Sequence, residues 1–302
     1  MTWLFFALLA PFLFALTNHV DKILLGRYFT KVRSTTLLIY TAIASALITI
    51  AIVILKPDVL SVPLFNAGLM FVAGIIYFLA IMPYIKALSL EEASRVIPIF
   101  QIQPVLAYTF GVALFHETLS LTQILAGIII VSGAVLINLD LDNRRKFKGV
   151  IFGLIALSCL LFMLESITFK FVGGNFGFWE ASFYQYLGTA VAGLFVLIVS
   201  KQYRHDFKKV NKEGGKKVFI GAITNEMVNM GGRLAFNFSL LLAPLALVQL
   251  VQGSQSIFVL IIGTVLALLI PKYGKENLSR KHMLQKIGSI VIVLAGTCLL
   301  LL

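Results

Sequence analysis

Long apolar runs, broken at chemically abrupt places, dominate the chain. Ten of them approach the roughly 20 residues that a helix needs to cross about 30 Å of hydrocarbon. They cover residues 3–22, 35–55, 64–87, 94–115, 119–138, 149–170, 178–200, 218–242, 245–271 and 283–302. The breaks include Lys56-Pro57-Asp58, His116-Glu117, Ala243-Pro244 and Pro271-Lys272-Tyr273-Gly274. None of the runs alternates like a barrel strand of about ten residues. Backbone groups in lipid need partners within their own segment, so long uncharged runs become helices. The pattern predicts an all-α polytopic membrane protein with ten transmembrane helices. The short joints after spans 4 and 8 predict antiparallel hairpins.

Composition agrees. Of 302 residues, 59% are hydrophobic and 13% charged, where soluble domains run near 45–50% and 25%. A water-soluble globule is excluded. The net charge of +12 would suit nucleic acid, but basic cytoplasmic loops account for it without a nucleic-acid partner. The loops after odd-numbered spans hold 22 Lys and Arg and the even-numbered ones hold only Lys56 and Lys170. That split predicts a cell-membrane protein with the odd-numbered loops cytoplasmic and both termini outside. Residues 201–217, KQYRHDFKKVNKEGGKK, read as the one sizeable loop, a solvated topology determinant or a binder of acidic lipid heads. Cys159 and Cys298 sit in apolar runs and supply neither a disulfide framework nor a four-ligand zinc site. The first 22 residues lack the basic start and small-residue cleavage site of a signal peptide and are expected to be the first span.

Ten spans divide into five and five around a basic connector. The expected units are residues 1–139, a connector at 140–148, and residues 149–302. Glu117-Thr118-Leu119-Ser120 and Glu276-Asn277-Leu278-Ser279 share the pattern Glu-x-Leu-Ser, and a glycine-bearing helix follows each, with Gly127 and Gly133 in one and Gly288 and Gly296 in the other. An odd number of spans per copy inverts the second copy, an arrangement common in secondary transporters with a site at the repeat interface. Glu92-Ala93-Ser94-Arg95-Val96-Ile97-Pro98, Gln103-Pro104-Val105-Leu106-Ala107, Gly111, Glu117, Gln123, Gly127 and Gly133 resemble the EamA-type domain of the drug/metabolite transporter superfamily. The second half is a degenerate copy, with Gly253 and Ser256 where a proline pair would stand. The resemblance implies two five-helix repeats, spans 1–4 and 6–9 around a central cavity and spans 5 and 10 outside. It implies no particular substrate.

Ionisable groups at mid-bilayer are costly and each is a functional-site hypothesis. Span 8 carries Glu226, Asn229, Arg233 and Asn237 within about 80° of one helix face, with Glu226 and Arg233 roughly 10 Å apart along the axis. At that separation each needs another partner, water or substrate. In the functional reading Arg233 takes an anionic group and Glu226 an amine or a proton. In the structural reading the same groups hold helices together by interhelical hydrogen bonds. Glu165, in span 6, would pair with Arg233 if the two share a level. Glu165, Glu226 and His19 are the candidate proton carriers. Gln101, Tyr108, Tyr184 and Gln252 join Arg233, Glu226, Asn229 and Asn237 as candidate substrate-binding residues. Asp21 and Lys22 are expected at the interface, and Trp3, Trp179 and Glu180 near span ends. Glu117 and Glu276 are expected to fix turns or helix starts.

No phosphate-binding G-x-x-x-x-G-K-[ST] run, H-E-x-x-H pair or G-x-S-x-G elbow occurs. No cofactor, metal or catalytic residue is called for, and an enzyme is a poor fit. The leading expectation is an exporter or exchanger of a small polar metabolite by alternating access, with a chamber into which Arg233 projects. A flippase for lipid-linked head groups and a membrane-embedded enzyme acting on lipid head groups are the alternatives. The partners expected are a small-molecule substrate and the bilayer, without nucleic acid. Gly149-x-x-x-Gly153 leaves a homodimer open.

Overall fold

A computed structural model describes residues 2–90, 99–100, 102–138, 149–269 and 280–299. The Glu92–Pro98 motif, Gln101, the connector and the Glu276 turn lie outside them. Every regular element among the described residues is helical. We number the α-helices α1 (Thr2–Arg27), α2 (Leu38–Leu55), α3 (Leu64–Leu90), α4 (Ile102–Phe115), α5 (Leu121–Asn138) and α6 (Gly149–Phe176). They continue as α7 (Phe178–Val199), α8 (Lys201–Leu242), α9 (Leu245–Gln252), α10 (Gln255–Leu269) and α11 (Arg280–Leu299). Six segments of the described chain are long and apolar enough to cross a membrane: Thr2–Arg27, Ser34–Leu55, Leu64–Ala87, Gly149–Phe176, Phe178–Val199 and Leu245–Leu266. Shorter apolar helices occupy Ile102–Phe115, Leu121–Gly133 and Ile287–Leu299.

The helices pack in cross-chain pairs. α1 lies along α8, α2 along α7, α3 along α6 and α7, α4 along α9, and α5 along α11. Small residues set the closest approaches. At Gly74 and Gly188 a methyl group would strike the backbone of Gln185 and Phe71 respectively, so α3 and α7 touch backbone to backbone. Gly133 faces Val293 and Gly296 faces Ile130 across the α5–α11 contact. Without a hydrophobic driving force between helices in lipid, such close van der Waals contact is a main source of their association. Gly149 and Gly153 meet nothing and face outward.

One expectation about boundaries is corrected. Residues 201–217 are not a loop. Ser200 caps a helix by accepting from the Tyr203 amide at 3.4 Å, and Lys201 onward is helical until Gly215 breaks the geometry at φ +63°. The reason is spacing. Tyr203, Phe207 and Val210 fall on one face, and Phe207 and Val210 pack into a cluster with Leu24, Phe29, Leu37, Tyr40, Val218 and Ala222. Polar bonds add to this: Tyr203 Oη lies 2.8 Å from Thr35 Oγ1, and Tyr40 Oη donates to Asn211 Oδ1 at 2.9 Å. The span expected over 245–271 includes Leu245–Leu266, long and apolar enough to cross a membrane, and is built of two helices, α9 and α10, parted by a turn at Gly253-Ser254.

Candidate functional site

A polar core forms where α1–α3 meet α6–α8. Arg233, on α8, is 5% exposed and Glu165, on α6, is 1% exposed. An Arg233 Nη and a Glu165 carboxylate oxygen form an ion pair. The guanidinium carbon lies over the Tyr77 ring of α3, 3.4 Å from its centroid, so the cation meets the ring's negative face. The same Glu165 carboxylate oxygen also accepts from the Gln185 amide of α7. Gln185 Oε1 in turn accepts from Asn237 Nδ2 at 2.7 Å. Tyr186, also on α7, donates to the Met230 carbonyl at 3.1 Å. Four helices therefore converge on one buried charge pair. Its hydrogen bonding is incomplete, because Arg233 Nε and Asn237 Oδ1 have no hydrogen-bond partner and are shielded from solvent.

Among the described residues the guanidinium is packed against Tyr77 and Glu165 and is nearly buried. Glu226 is held separately. It is 2% exposed and accepts weakly from Asn229 Nδ2 at 3.5 Å. Asp21 lies within α1, which continues past it to Arg27. It accepts from Asn225 Nδ2 at 2.7 Å and acts electrostatically on Glu226. His19 Nε2 lies 2.9 Å from the Val259 carbonyl of α10, and Gln252 donates to the Ala7 carbonyl at 3.4 Å.

Tyr108 does not join the core. It is 42% exposed on α4 in a stripe with Val105 and Val112, also exposed, at helical i−3 and i+4 spacing. Tyr184 packs its ring on Phe183 and on hydrophobic neighbours of α3 and α6, beside Gln185 in sequence but on another face. Gln101 lies outside the described residues. Gln185 is a core member the sequence reading did not single out; its signal was a lone amide in an apolar run.

A second polar knot closes the end of the bundle where α8 stops. Glu117, in the turn after α4, accepts from the Leu245 amide at 2.8 and 3.0 Å, so a carboxylate caps the start of α9. Lys170 of α6 pairs with Glu117 at 2.8 Å and donates to the carbonyls of Leu240 at 3.0 Å and Ala243 at 2.6 Å. His116 adopts φ +52° to turn the chain back. Gly111 leaves room for the Glu117 carboxylate, which a methyl group there would strike. Beside the knot is a cavity of about 290 Å³ lined by Phe115, Lys170, Phe171, Gly174, Asn175, Leu240 and Leu241.

The Gly111–Glu117 arrangement falls within the stretch that resembles a known family. Residues 1–139 match the EamA-like transporter family. That match and the run of apolar helices indicate a multi-pass membrane protein. One solved crystal structure, 14% identical, superposes with a TM-score of 0.63 over 98% of this chain and 98% of its own. At that identity the likeness concerns the fold alone. No curated protein sequence matches the chain.

Proposed function

We propose that the chain is a secondary active transporter, an exporter or exchanger of a small polar metabolite bearing an anionic group. It works by alternating access between residues 1–139 and 149–302, with the odd-numbered loops on the cytoplasmic side. The observation that carries this is the buried Arg233–Glu165 pair, which belongs to residues 149–302 and meets Tyr77 of the EamA-like stretch. In a transporter the pair is an occluded resting state. Arg233 exchanges the Glu165 carboxylate for that of the substrate, Tyr77 keeps the guanidinium plane oriented, and the Gln185 and Asn237 amides bond polar groups of the guest. The open valences on Arg233 Nε and Asn237 Oδ1 suit such a guest.

The packing supports an inverted repeat. Exchange α1, α2, α3, α4 and α5 with α6, α7, α8, α9–α10 and α11 respectively. The α1–α8 contact then becomes α6–α3. The α2–α7, α4–α9 and α5–α11 contacts each map onto themselves. All of these contacts occur. A pseudo-twofold axis in the membrane plane has this consequence.

The test is transport in proteoliposomes against a panel of carboxylates, phosphorylated metabolites, amines and sugars. Arg233→Met alone strands a buried carboxylate, at a cost of about 3–5 kcal/mol. The paired variant Arg233→Gln with Glu165→Gln removes both charges and keeps hydrogen-bonding amides. It should fold and transport nothing anionic. Wild-type rates in that variant would sink the assignment. Glu226, buried among Thr41, Asn229 and Asp21 without a cation beside it in the bonds described, is the leading proton carrier, ahead of His19 and of the cation-paired Glu165. Glu226→Gln should flatten the pH dependence of transport; an unchanged profile removes Glu226 from the coupling path.

A further inference from the structure

The helical stretch from Lys201 to Gly214 is divided into two faces. Tyr203, Asp206, Phe207, Val210 and Asn211 turn inward, where Phe207 and Val210 join the cluster around Tyr40. Asp206 is 3% exposed and is engaged by Gln202 Nε2 at 3.1 Å and by the Arg33 amide at 3.4 Å. Opposite them, at about 100° per residue, Lys201, Lys208, Lys209 and Lys212 fall in a sector about 100° wide. Lys216 and Lys217 follow the break at Gly215. None of these six lysines has a hydrogen-bond or ion-pair partner among the described residues, whereas Arg204 is spent on the Leu197 and Ile198 carbonyls at the end of α7. With Asp206 turned inward, Glu213 is the one exposed acid of the segment.

The depth of this basic face is fixed from both sides. Immediately before it, Phe195, Ile198 and Val199 are 62%, 73% and 62% exposed at the end of α7. Immediately after it, Phe219 and Ile220 are 38% and 60% exposed. In a membrane protein such side chains contact acyl chains. The lysines are therefore bracketed by two lipid-facing apolar bands, which puts them at head-group level rather than out in bulk water. Their number, their lack of internal partners and their depth all match one partner. We propose that the Lys201–Lys217 face is a binding surface for anionic phospholipid head groups, recognised through their phosphodiester charge. The proposal does not depend on the transport reading, because none of these lysines touches the polar core.

Each basic side chain near an anionic surface is worth about fivefold in affinity. Removing three should therefore weaken lipid binding by about tenfold to a hundredfold, the lower figure allowing for salt screening. The experiment uses the full-length purified protein in neutral detergent, titrated with phosphatidylglycerol or phosphatidylcholine. Thermal unfolding and native mass spectrometry of retained lipid are the readouts. The wild type should be stabilised by, and retain, phosphatidylglycerol over phosphatidylcholine, with an advantage that falls as salt rises. Lys208→Gln, Lys209→Gln and Lys212→Gln together should shift half-saturation by phosphatidylglycerol at least tenfold, with helicity unchanged by circular dichroism. The corresponding Lys→Arg triple variant should restore it. Equal stabilisation by the two lipids, or a glutamine variant that binds like the wild type, would overturn the proposal. So would inorganic phosphate at millimolar concentration reproducing the whole effect, since that would make the ligand a free anion. A triple glutamine variant that loses helicity hands the decision to the arginine variant and the lipid preference of the wild type, which stand without it.

Discussion

At Arg233 a guanidinium has been taken out of water and left incompletely bonded. Desolvating a charge pair is offset only by good geometry and by hydrogen bonds to the remaining valences. Here the ion pair with Glu165 and the ring of Tyr77 supply the first, while Arg233 Nε supplies no bond at all. If the pair serves the proposed transport, apolar replacement of both charges should raise the unfolding temperature in detergent while abolishing transport. Glu165 and Arg233 were legible in the sequence because ionisable residues inside apolar spans are few and expensive. Their pairing was not, because it depends on the relative height of two helices. Tyr77 and Gln185 were harder still, since a tyrosine or an amide in a span satisfies helix contacts as readily as a site. The end of α1 was less legible, because Lys22 resembles the end of a span although the helix runs five residues further. Gly215 carries a separate residue-scale prediction. At φ +63° and ψ −167° it occupies backbone space that L-residues reach only with strain. Nothing lies within 4 Å of an added methyl, so Gly215→Ala tests the backbone alone. It should cost about 1–3 kcal/mol, measured as a shift in thermal unfolding in detergent. A shift near zero would mean that the break relaxes easily.

At the scale of elements, the helix ends are where charge chemistry concentrates. Glu117 caps α9 from a turn after α4, and Lys170 caps the end of α8 from α6, and the two caps neutralise each other. The sequence reading of Glu117 as a turn-fixing carboxylate named the right kind of role but not the helix it serves, which starts 128 residues later. Sequence distance hides such a contact. The basic segment was misread for a related reason. A high density of lysines and the pair Gly214-Gly215 look like a loop, and the apolar spacing of Tyr203, Phe207 and Val210 is too short a pattern to outweigh them. The knot gives a prediction of its own. Glu117→Gln keeps the hydrogen-bond acceptor for the Leu245 amide and removes the ion pair, whereas Lys170→Met leaves a partly buried carboxylate and two carbonyls without their donor. Lys170→Met should destabilise by about 2–3 kcal/mol more than Glu117→Gln, read from unfolding in detergent. Equal losses would mean that the ion pair itself, and not the capping of helix ends, holds this junction.

Across the whole molecule, the knot and the basic cap lie at opposite ends of α8, with the Arg233 centre between them. Asn237 sits six residues before Ala243, so at 1.5 Å per residue it lies roughly 9 Å below the carbonyls that Lys170 binds. If the two halves rock about the centre, the end sealed by Glu117 and Lys170 must part to admit substrate to Asn237. The residue is fully buried as described, which allows a direct test. Cys159 and Cys298 are the natural thiols, one buried and one exposed, and both are replaced first. In that background Asn237→Cys should resist a membrane-impermeant maleimide, because its position is closed off in the resting state. Adding Lys170→Ala should raise the labelling rate at least tenfold, and only for reagent applied on the side of the α8–α9 junction. A global loss of packing would expose the thiol to reagent from either side, so sidedness separates gating from unfolding. Unchanged protection after the knot is cut would mean that access to the centre comes from elsewhere. The knot would then be a fixed structural clasp, and the moving interface would have to be sought at the Asp21–Asn225 contact near the other end.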